Sequence, residues 1–183
     1  AEILTGHDIA TNGLQPTPIP VYGTLLTSMF MHGSWAHLGG NMLFLWIFGD
    51  NIEDRQGHVR YLIFYLLCGI IASLSHVFIS GSSSLIPSLG ASGAISGVLG
   101  GYMFLFPSRK VRVFIVRSIV AVPAFVVLGI WIVFQVISGM GMLGGTQEGG
   151  GVAYAAHVGG FVAGILLVKL FARGAAKNTV SKI

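Results

Sequence analysis

Ser92 and His157 are the two residues of this sequence whose types could form a catalytic pair. Each stands within the first five residues of an apolar stretch, residues 89–106 for the serine and residues 153–171 for the histidine. A histidine that takes the proton from a serine hydroxyl converts this hydroxyl into a nucleophile. Neither stretch contains an acidic residue, so the expected arrangement is a Ser–His dyad rather than a triad.

Three further polar residues precede this pair and could assist it. His37 and Asn41 are four residues apart and therefore share one face of a predicted helix, and His32 lies just before this helix as a supporting residue. Ser92 would lie at the N-terminal end of its own helix, where free backbone N–H groups and the positive end of the helix dipole meet. The backbone N–H of Ser92 and the side chains of His37 and Asn41 could therefore donate hydrogen bonds to an oxyanion.

The same types of residue also have simpler interpretations. A serine in a glycine-rich helix usually serves packing, and an isolated histidine in an apolar helix is usually a structural hydrogen-bonding group, which is how we interpret Ser96 and His76. A metal site formed by His32, His37 and His157 is a further alternative. However, the apolar stretches contain no carboxylate that could join these histidines, and asparagine is a poor zinc ligand. The sequence therefore predicts neither a metal nor a cofactor.

The composition places these residues in a membrane protein. Of the 183 residues, 54% are hydrophobic and only 9% are charged, and the mean hydropathy is +0.82. A soluble domain carries roughly 25% charged residues, so a chain this poor in charge could not cover a surface that faces water. We expect an all-α polytopic membrane protein with five transmembrane spans, each matched to a hydrocarbon core of about 30 Å. The predicted spans are residues 24–48 (with a firm helix only from residue 35), 61–79, 89–106, 118–137 and 153–171.

The basic residues indicate the orientation of the chain rather than a nucleic-acid partner. All ten Lys and Arg residues follow the apolar runs of the first, third and fifth spans, whereas the alternate connections have none, which is the positive-inside pattern. We expect residues 1–24 to form an exterior loop, residues 25–172 a single helical bundle and residues 173–183 a cytoplasmic tail. The third and fifth spans then both begin on the exterior side, which places Ser92 and His157 at the same shallow depth of about 6 Å.

Small residues at intervals of four would allow the third and fifth spans to approach closely. Two such ridges are typical of tight helix packing in a membrane, and their contact would bring Ser92 near His157. The ridges are Gly93, Gly97 and Gly101 in the third span and Ala156, Gly160 and Gly164 in the fifth.

Three motifs resemble those of the rhomboid intramembrane serine proteases. They are HGSWAHLGGN at residues 32–41, GASG at residues 90–93 and AHVGG at residues 156–160, in the order found in that family. The resemblance covers residues 26–164 and implies a rhomboid-like bundle whose core has six spans, the first of which is absent here. Many rhomboids have Trp-Arg in the first loop, where this sequence reads VYGTLL. The segment IEDRQG resembles the family's cytoplasmic turn, in which we expect Glu53 to pair with Arg55.

The resemblance also implies a role for each candidate residue. The serine of the family's GxSG motif is the nucleophile, which selects Ser92, and the histidine of the last motif is the base, which selects His157. The oxyanion site would consist of the backbone N–H of Ser92 together with His37 and Asn41. Gly90, the first glycine of GASG, would shape the same pocket.

These implications describe an intramembrane serine endopeptidase. It would hydrolyse a peptide bond in or beside the transmembrane segment of a single-pass membrane protein, within the lipid bilayer. The site would open to the exterior side of a plasma or inner membrane, with residues 139–151 as a cap and the fourth span as part of a gate. Transmembrane substrates and lipid are the expected partners; nucleic acid and metal are not. The alternative is a non-proteolytic rhomboid-like protein for binding or quality control, although such relatives typically lack the Ser or the His.

Overall fold

The structure, a computed structural model, describes residues 19–80, 89–143 and 153–172. Within these residues the chain forms seven α-helices and one β-hairpin. The predicted tail and most of both the predicted exterior loop and the predicted cap lie outside the described residues. The elements are α1 (Thr24–Thr27), α2 (Trp35–Phe44), α3 (Asp50–Gln56), α4 (His58–Ser80), α5 (Ser92–Leu105), β1 (Lys110–Ile115), β2 (Ser118–Pro123), α6 (Ala124–Leu143) and α7 (Tyr154–Phe171).

The first predicted span contains the irregular opening that its sequence indicated. Short 3₁₀ and α-helical turns run from Val21 to Phe30, and α2 then begins at Trp35. The side chain of Ser34 caps this start, because its hydroxyl oxygen accepts a hydrogen bond of 3.1 Å from the backbone N–H of His37. The cap therefore fixes the first turn of α2, in which His37 lies.

This helical segment does not end at residue 48 as expected. It continues through a π-helical segment, Leu45–Gly49, into α3. All residues of α3 except Ile52 are polar, but none of them is Gly or Pro, so nothing in their backbone chemistry stops the helix. It ends at Gly57, whose φ of 79° lies in the left-handed region that favours glycine.

The expected pair between Glu53 and Arg55 does not form. Residues two apart on a helix point to different sides, and the turn at Gly57 leads directly into the start of α4. An oxygen of the Glu53 carboxylate instead lies 2.6 Å from Nδ1 of His58. This contact joins the end of α3 to the first residue of α4.

Two of the described helices, α4 and α7, are long and apolar enough to cross a membrane. Helix α5 is apolar but has only 14 residues, which extend about 21 Å at 1.5 Å per residue. The apolar stretch Ala124–Met140 of α6 is also shorter than the two candidate spans. Each predicted span thus contains helix, while the number of membrane crossings remains a prediction.

Residues 118–137, predicted as one helical span, divide between a strand and a helix. Residues 118–123 form β2, which pairs antiparallel with β1 and places Val120 opposite Val113, and α6 begins only at Ala124. The run SIVAV is rich in β-branched residues, which favour strands. Pro123 has no backbone N–H and cannot lie inside a helix without disrupting it. The prediction of helix from residue 118 is therefore wrong.

Helices α5 and α7 pack closely through the small residues that the sequence indicated. A Cβ atom on Gly164 would overlap the carbonyl group of Gly97, and one on Gly160 would overlap that of Gly93. Such backbone contact is possible only because these residues have no side chain. Every residue of α5 from Gly93 to Tyr102 is buried. Helix α5 is therefore the centre of the bundle, with α4 and α7 against it.

Candidate active site

Ser92 and His157 lie in hydrogen-bond contact at one end of the α5–α7 interface. Ser92 is the first residue of α5, and His157 lies in the first turn of α7. The hydroxyl oxygen of Ser92 is 2.8 Å from Nε2 of His157. The backbone contact between Gly93 and Gly160 sets this separation, because it joins the two helices within three residues of the polar pair. At this distance the hydroxyl proton can pass to the imidazole.

The other nitrogen of the imidazole contacts a residue that the sequence analysis missed. The side-chain oxygen of Gln135, in α6, lies 2.7 Å from Nδ1 of His157. Gln135 is buried, with 6% of its surface exposed. An amide oxygen can only accept a hydrogen bond, so this contact requires the proton of the neutral imidazole on Nδ1. Nε2 is then free to accept the hydrogen bond from Ser92.

Gln135 carried a signal that could have identified it. A polar side chain in an apolar membrane stretch is costly unless it finds a partner, which makes such a residue a candidate for function. The same argument applies to Gln135, but one amide changes the hydropathy of residues 118–137 too little to draw attention. Its partner, moreover, lies on another helix.

Trp131 covers the imidazole on the side of α6. Its ring lies 5.9 Å from the ring of His157 and 6.0 Å from that of Phe161, measured between centroids. Trp131 precedes Gln135 by four residues, so both side chains project from one face of α6. Through these two residues, α6 gives the site an apolar cover and a hydrogen-bond acceptor.

His37 and Asn41 lie against the segment that leads into α5. A Cβ atom on Gly90 would be 2.7 Å from the imidazole of His37 and 3.6 Å from Nδ2 of Asn41, and the φ of Gly90 is 109°. Both facts require glycine at this position. The backbone N–H of Gly90 donates a hydrogen bond of 2.9 Å to the carbonyl of Ser28. The three residues predicted to form the pocket are thus in contact two residues before Ser92.

A cavity of about 410 Å³ connects these groups. His37, Asn41, Ser92, Trp131 and His157 all contribute to its lining. Asn41 is buried, with 8% of its surface exposed, and its Nδ2 has no hydrogen-bond partner in the described part of the chain. A buried donor without an acceptor is unfavourable, so Asn41 holds an unused donor beside the cavity.

His32 and Ser96 lie near the pair without contacting its reactive atoms. The ring of His32 meets that of His37 edge-on, with centroids 5.1 Å apart, and His32 does not line the cavity. Ser96 lines the cavity, but its hydroxyl donates a hydrogen bond of 2.7 Å to the carbonyl oxygen of Ser92. Such a bond to the preceding turn is common for serine inside helices. Of these two serines, Ser92 is the one whose hydroxyl contacts a base.

The chain is similar to proteins of one family. The family model described as a rhomboid domain matches residues 21–174. Over 146 residues the chain is 35% identical to "Rhomboid protein 1, mitochondrial" of Saccharomyces cerevisiae. The aligned region covers 78% of the chain and 40% of that protein. It is 36% identical over 127 residues to "Rhomboid protease GluP" of Bacillus subtilis, covering 68% of the chain and 24% of the relative. It is 29% identical over 158 residues to "Rhomboid-like protein 11, chloroplastic" of Arabidopsis thaliana. This alignment covers 84% of the chain and 54% of the relative.

The matched region contains every residue of the candidate site. The chain spans between 24% and 54% of the length of these three relatives, but the family's domain covers most of the chain itself. The resemblance inferred from the motifs is therefore confirmed. Rhomboids are integral membrane proteins, which agrees with the composition and with the two membrane-compatible helices. The chain belongs to the rhomboid family.

Proposed function

We propose that this chain is an intramembrane serine endopeptidase, which cleaves a peptide bond in or beside a transmembrane segment of another membrane protein. The observation that carries the proposal is the 2.8 Å contact between the hydroxyl oxygen of Ser92 and Nε2 of His157. It joins a nucleophile to a base at the edge of a cavity. The relative from Bacillus subtilis is named as a rhomboid protease, which supports the same activity.

The first half of the proposed reaction transfers the acyl group to the enzyme. The oxygen of Ser92 attacks the carbonyl carbon of the substrate while its proton passes to Nε2 of His157, and the carbonyl oxygen becomes negatively charged. The imidazolium then protonates the nitrogen of the leaving segment, and the C–N bond breaks. In the second half, His157 takes a proton from water while the water oxygen attacks the ester carbon. The imidazolium then returns this proton to the oxygen of Ser92 as the C–O bond of the ester breaks, which releases the acyl segment as a carboxyl group and restores Ser92.

The negative charge that develops on the carbonyl oxygen needs donors that are already in place. We assign this role to the backbone N–H of Ser92, the free Nδ2 of Asn41 and the imidazole of His37. The first turn of a helix leaves its N–H groups without intrahelical acceptors, and Ser92 begins α5. The left-handed backbone of Gly90 permits the close contact that holds His37 and Asn41 at this place.

The proposed orientation places the dyad near the exterior face of the membrane. Arg112 follows α5, and Lys169 lies in the last turn of α7, at the helix ends opposite Ser92 and His157. In intact cells, an impermeant maleimide should label a cysteine placed at Ala153 but not one placed at Arg112. The native Cys68 is fully buried and should contribute little background. The reverse labelling pattern would contradict this orientation.

A cleavage assay in detergent with a generic transmembrane substrate tests the activity. Ser92→Ala and His157→Ala should each abolish measurable cleavage, whereas Ser96→Ala, a matched serine one turn further along α5, should retain most of it. A fluorophosphonate should label Ser92 covalently, as mass spectrometry of the modified peptide would show. Cleavage by purified Ser92→Ala would disprove the serine mechanism. Folded wild-type protein that neither cleaves nor reacts would favour the non-proteolytic alternative.

A further inference from the structure

Among the buried side chains in the described part of α6, Gln135 is the one polar residue, and it points at the proposed base. The other buried residues in the described part of this helix are Ala124 and Leu128. The amide oxygen of Gln135 is 2.7 Å from Nδ1 of His157, whose Nε2 is 2.8 Å from the hydroxyl of Ser92. One chain of hydrogen bonds therefore joins α6, α7 and α5 through a single imidazole ring.

We propose that Gln135 is a positioning residue for the reaction proposed above, and this inference rests on that proposed function. Its oxygen accepts the Nδ1 proton of His157 and so selects the tautomer in which Nε2 accepts the proton of Ser92. In a Ser-His-Asp triad the carboxylate orients the imidazole and also stabilises its charged form. Gln135 performs the first of these tasks and, being neutral, not the second.

The surroundings of the imidazole make this difference testable. The ring of Trp131 covers one side, and His37 lines the same cavity. Among the described residues that line this cavity, none is Asp, Glu, Lys or Arg. A carboxylate introduced at residue 135 would therefore be the closest acidic group to His157. Its negative charge would stabilise the protonated imidazole relative to the neutral one.

The sign of the expected pH effect follows from the role of the base. His157 must be neutral to accept the proton, so activity is lost as the pH falls through its pKa. In a plot of activity against pH, this loss forms the acid limb. Gln135→Glu should shift the acid limb to higher pH, because the added carboxyl group and the imidazole together bind one proton more than the imidazole and the amide of the wild type do. The base is blocked when the imidazole holds that proton, and also when the carboxyl group holds it and donates it to Nδ1, because Nε2 then carries the proton of the neutral ring. Above the shifted limb, the variant should recover wild-type kcat or exceed it.

The experiment compares Gln135→Glu and Gln135→Leu with wild type and with Val136→Leu, an exposed neighbour in α6. Kinetics over a pH series would be measured beside thermal unfolding in detergent. Gln135→Leu should lower kcat roughly tenfold with KM nearly unchanged, because the variant loses one neutral hydrogen bond that orients the base and does not contact the substrate. Val136→Leu should behave as wild type.

Two results would overturn the positioning role while leaving the dyad intact. One is a wild-type acid limb in Gln135→Glu, and the other is an unchanged kcat in folded Gln135→Leu, provided that Ser92→Ala remains inactive. If Gln135→Leu does not fold, the pH profile of Gln135→Glu decides alone. Persistent cleavage by Ser92→Ala would instead refute the proposed function itself, so the two failures are distinguishable.

A separate observation concerns the β-hairpin, which lies far from the dyad along α5. Residues 107–123 contain four basic residues and no acidic one. Val111 packs partly buried against the core, whereas Phe114 and its cross-strand partner Ile119 are 72% and 69% exposed. We call residues 114–119 the hairpin tip. It combines exposed apolar side chains with Arg117, and Arg112 precedes it by two residues in β1.

The turn of the hairpin shows that the apolar tip is not explained by local folding. Val116 has a φ of 57°, a conformation in which a β-branched residue is an outlier. Two-residue hairpin turns of this kind favour Asn, Asp or Gly. The chain nevertheless has valine at this position and exposes 88% of it. A contact outside the chain would account for an apolar side chain that the turn itself disfavours.

We infer that the hairpin tip inserts into the interface of an anionic phospholipid leaflet. The hairpin connects the end of α5 to the start of α6, so it lies at one face of the bundle. Apolar side chains at the boundary between headgroups and acyl chains, with basic side chains at the phosphates, are typical of interfacial segments. The four cations complement anionic headgroups, with about fivefold in binding expected for each basic residue near the surface.

The test uses an environment-sensitive NBD fluorophore on Ser118→Cys in reconstituted vesicles. Acyl chains carrying nitroxide should quench it more strongly in vesicles of phosphatidylglycerol and phosphatidylcholine than in phosphatidylcholine alone. Arg112→Gln with Arg117→Gln should remove this lipid dependence, and Arg60→Gln, outside the hairpin, should not. Val116→Asn should relieve the turn and leave the unfolding temperature unchanged or higher, yet reduce quenching.

Two results would overturn the lipid interface. One is water-like emission in every lipid mixture, which means that the tip stays in solvent. The other is a fluorophore whose shielding from water depends on the protein-to-lipid ratio rather than on phosphatidylglycerol. This result means that the tip contacts a second copy of the chain. If Val116→Asn alters the hairpin, the arginine variants decide.

Discussion

Helices α5 and α6 both contribute to the candidate site, but the bundle holds them in different ways. Helix α5 is buried from Gly93 to Tyr102 and meets α7 through backbone contacts. Only Ala124, Leu128 and Gln135 are buried among the described side chains of α6. Large apolar residues of α6, such as Ile130 at 68% exposure, face away from the bundle. One helix is held by close packing, and the other by a few contacts spread along its length.

This difference separates two requirements of an enzyme that acts on a transmembrane segment. The proposed nucleophile and base need a constant distance, and both lie on the tightly packed pair α5 and α7. A substrate needs an entrance, which the loosely packed α6 can provide by moving. Gln135 moves with α6, so any displacement of this helix also withdraws the acceptor from Nδ1 of His157. Entry of substrate and orientation of the base are therefore coupled in the proposed mechanism.

The largest expected effect comes from a single methyl group in the tight interface. Gly164→Ala would place a Cβ atom against the carbonyl group of Gly97, and two helix backbones cannot yield as a flexible side chain can. We expect a loss of about 3 kcal/mol or more, the upper range for overpacking, with cleavage falling in parallel. Thermal unfolding in detergent measures it. An unfolding temperature equal to that of wild type would show that α5 and α7 are not held by close packing.

The next effect, on the rate of cleavage rather than on stability, is expected at the oxyanion site. Asn41→Ala should lower kcat by roughly 10²–10³, or ~2.7–4 kcal/mol, because one donor to the transition state is lost while others remain. KM should change little, since the charge exists only in the transition state. The matched control is Asn51→Ala, whose amide donates a long hydrogen bond of 3.5 Å to the carbonyl of Ile47. Early melting of Asn41→Ala with a nearly normal kcat would assign Asn41 a structural role instead.

The comparison also explains which features the sequence could predict. The close approach of α5 and α7 depends on Gly and Ala at intervals of four, a spacing that can be read directly from the sequence. The structure confirms the contact of Gly97 with Gly164. The start of α2 at Trp35 was visible as well, because Gly33 and Ser34 interrupt the apolar run. Both features arise from residues close together in sequence or from a regular repeat.

The features that the sequence analysis missed belong to α6 and the segment before it. Hydropathy alone extended the fourth span back to residue 118, although KVRVF at residues 110–114 alternates basic and apolar residues as a strand does. Gln135 was missed because its meaning depends on His157, a residue on another helix. A hydropathy average cannot register a single hydrogen bond between distant parts of the chain.

The smallest expected effect comes from the same methyl group placed in α6. Gly129→Ala adds a Cβ atom that meets nothing within 4 Å, so the variant loses no contact and gains the better helix propensity of alanine, up to about 1 kcal/mol. The unfolding temperature should stay the same or rise slightly, and kcat should not change. Because the substitution is identical to Gly164→Ala, the difference between the two variants measures packing alone. A comparable loss of stability would mean that α6 is as tightly held as α5, and the contrast would be wrong. A lower kcat with undiminished stability would instead show that bending of α6 at Gly129 takes part in the catalytic cycle.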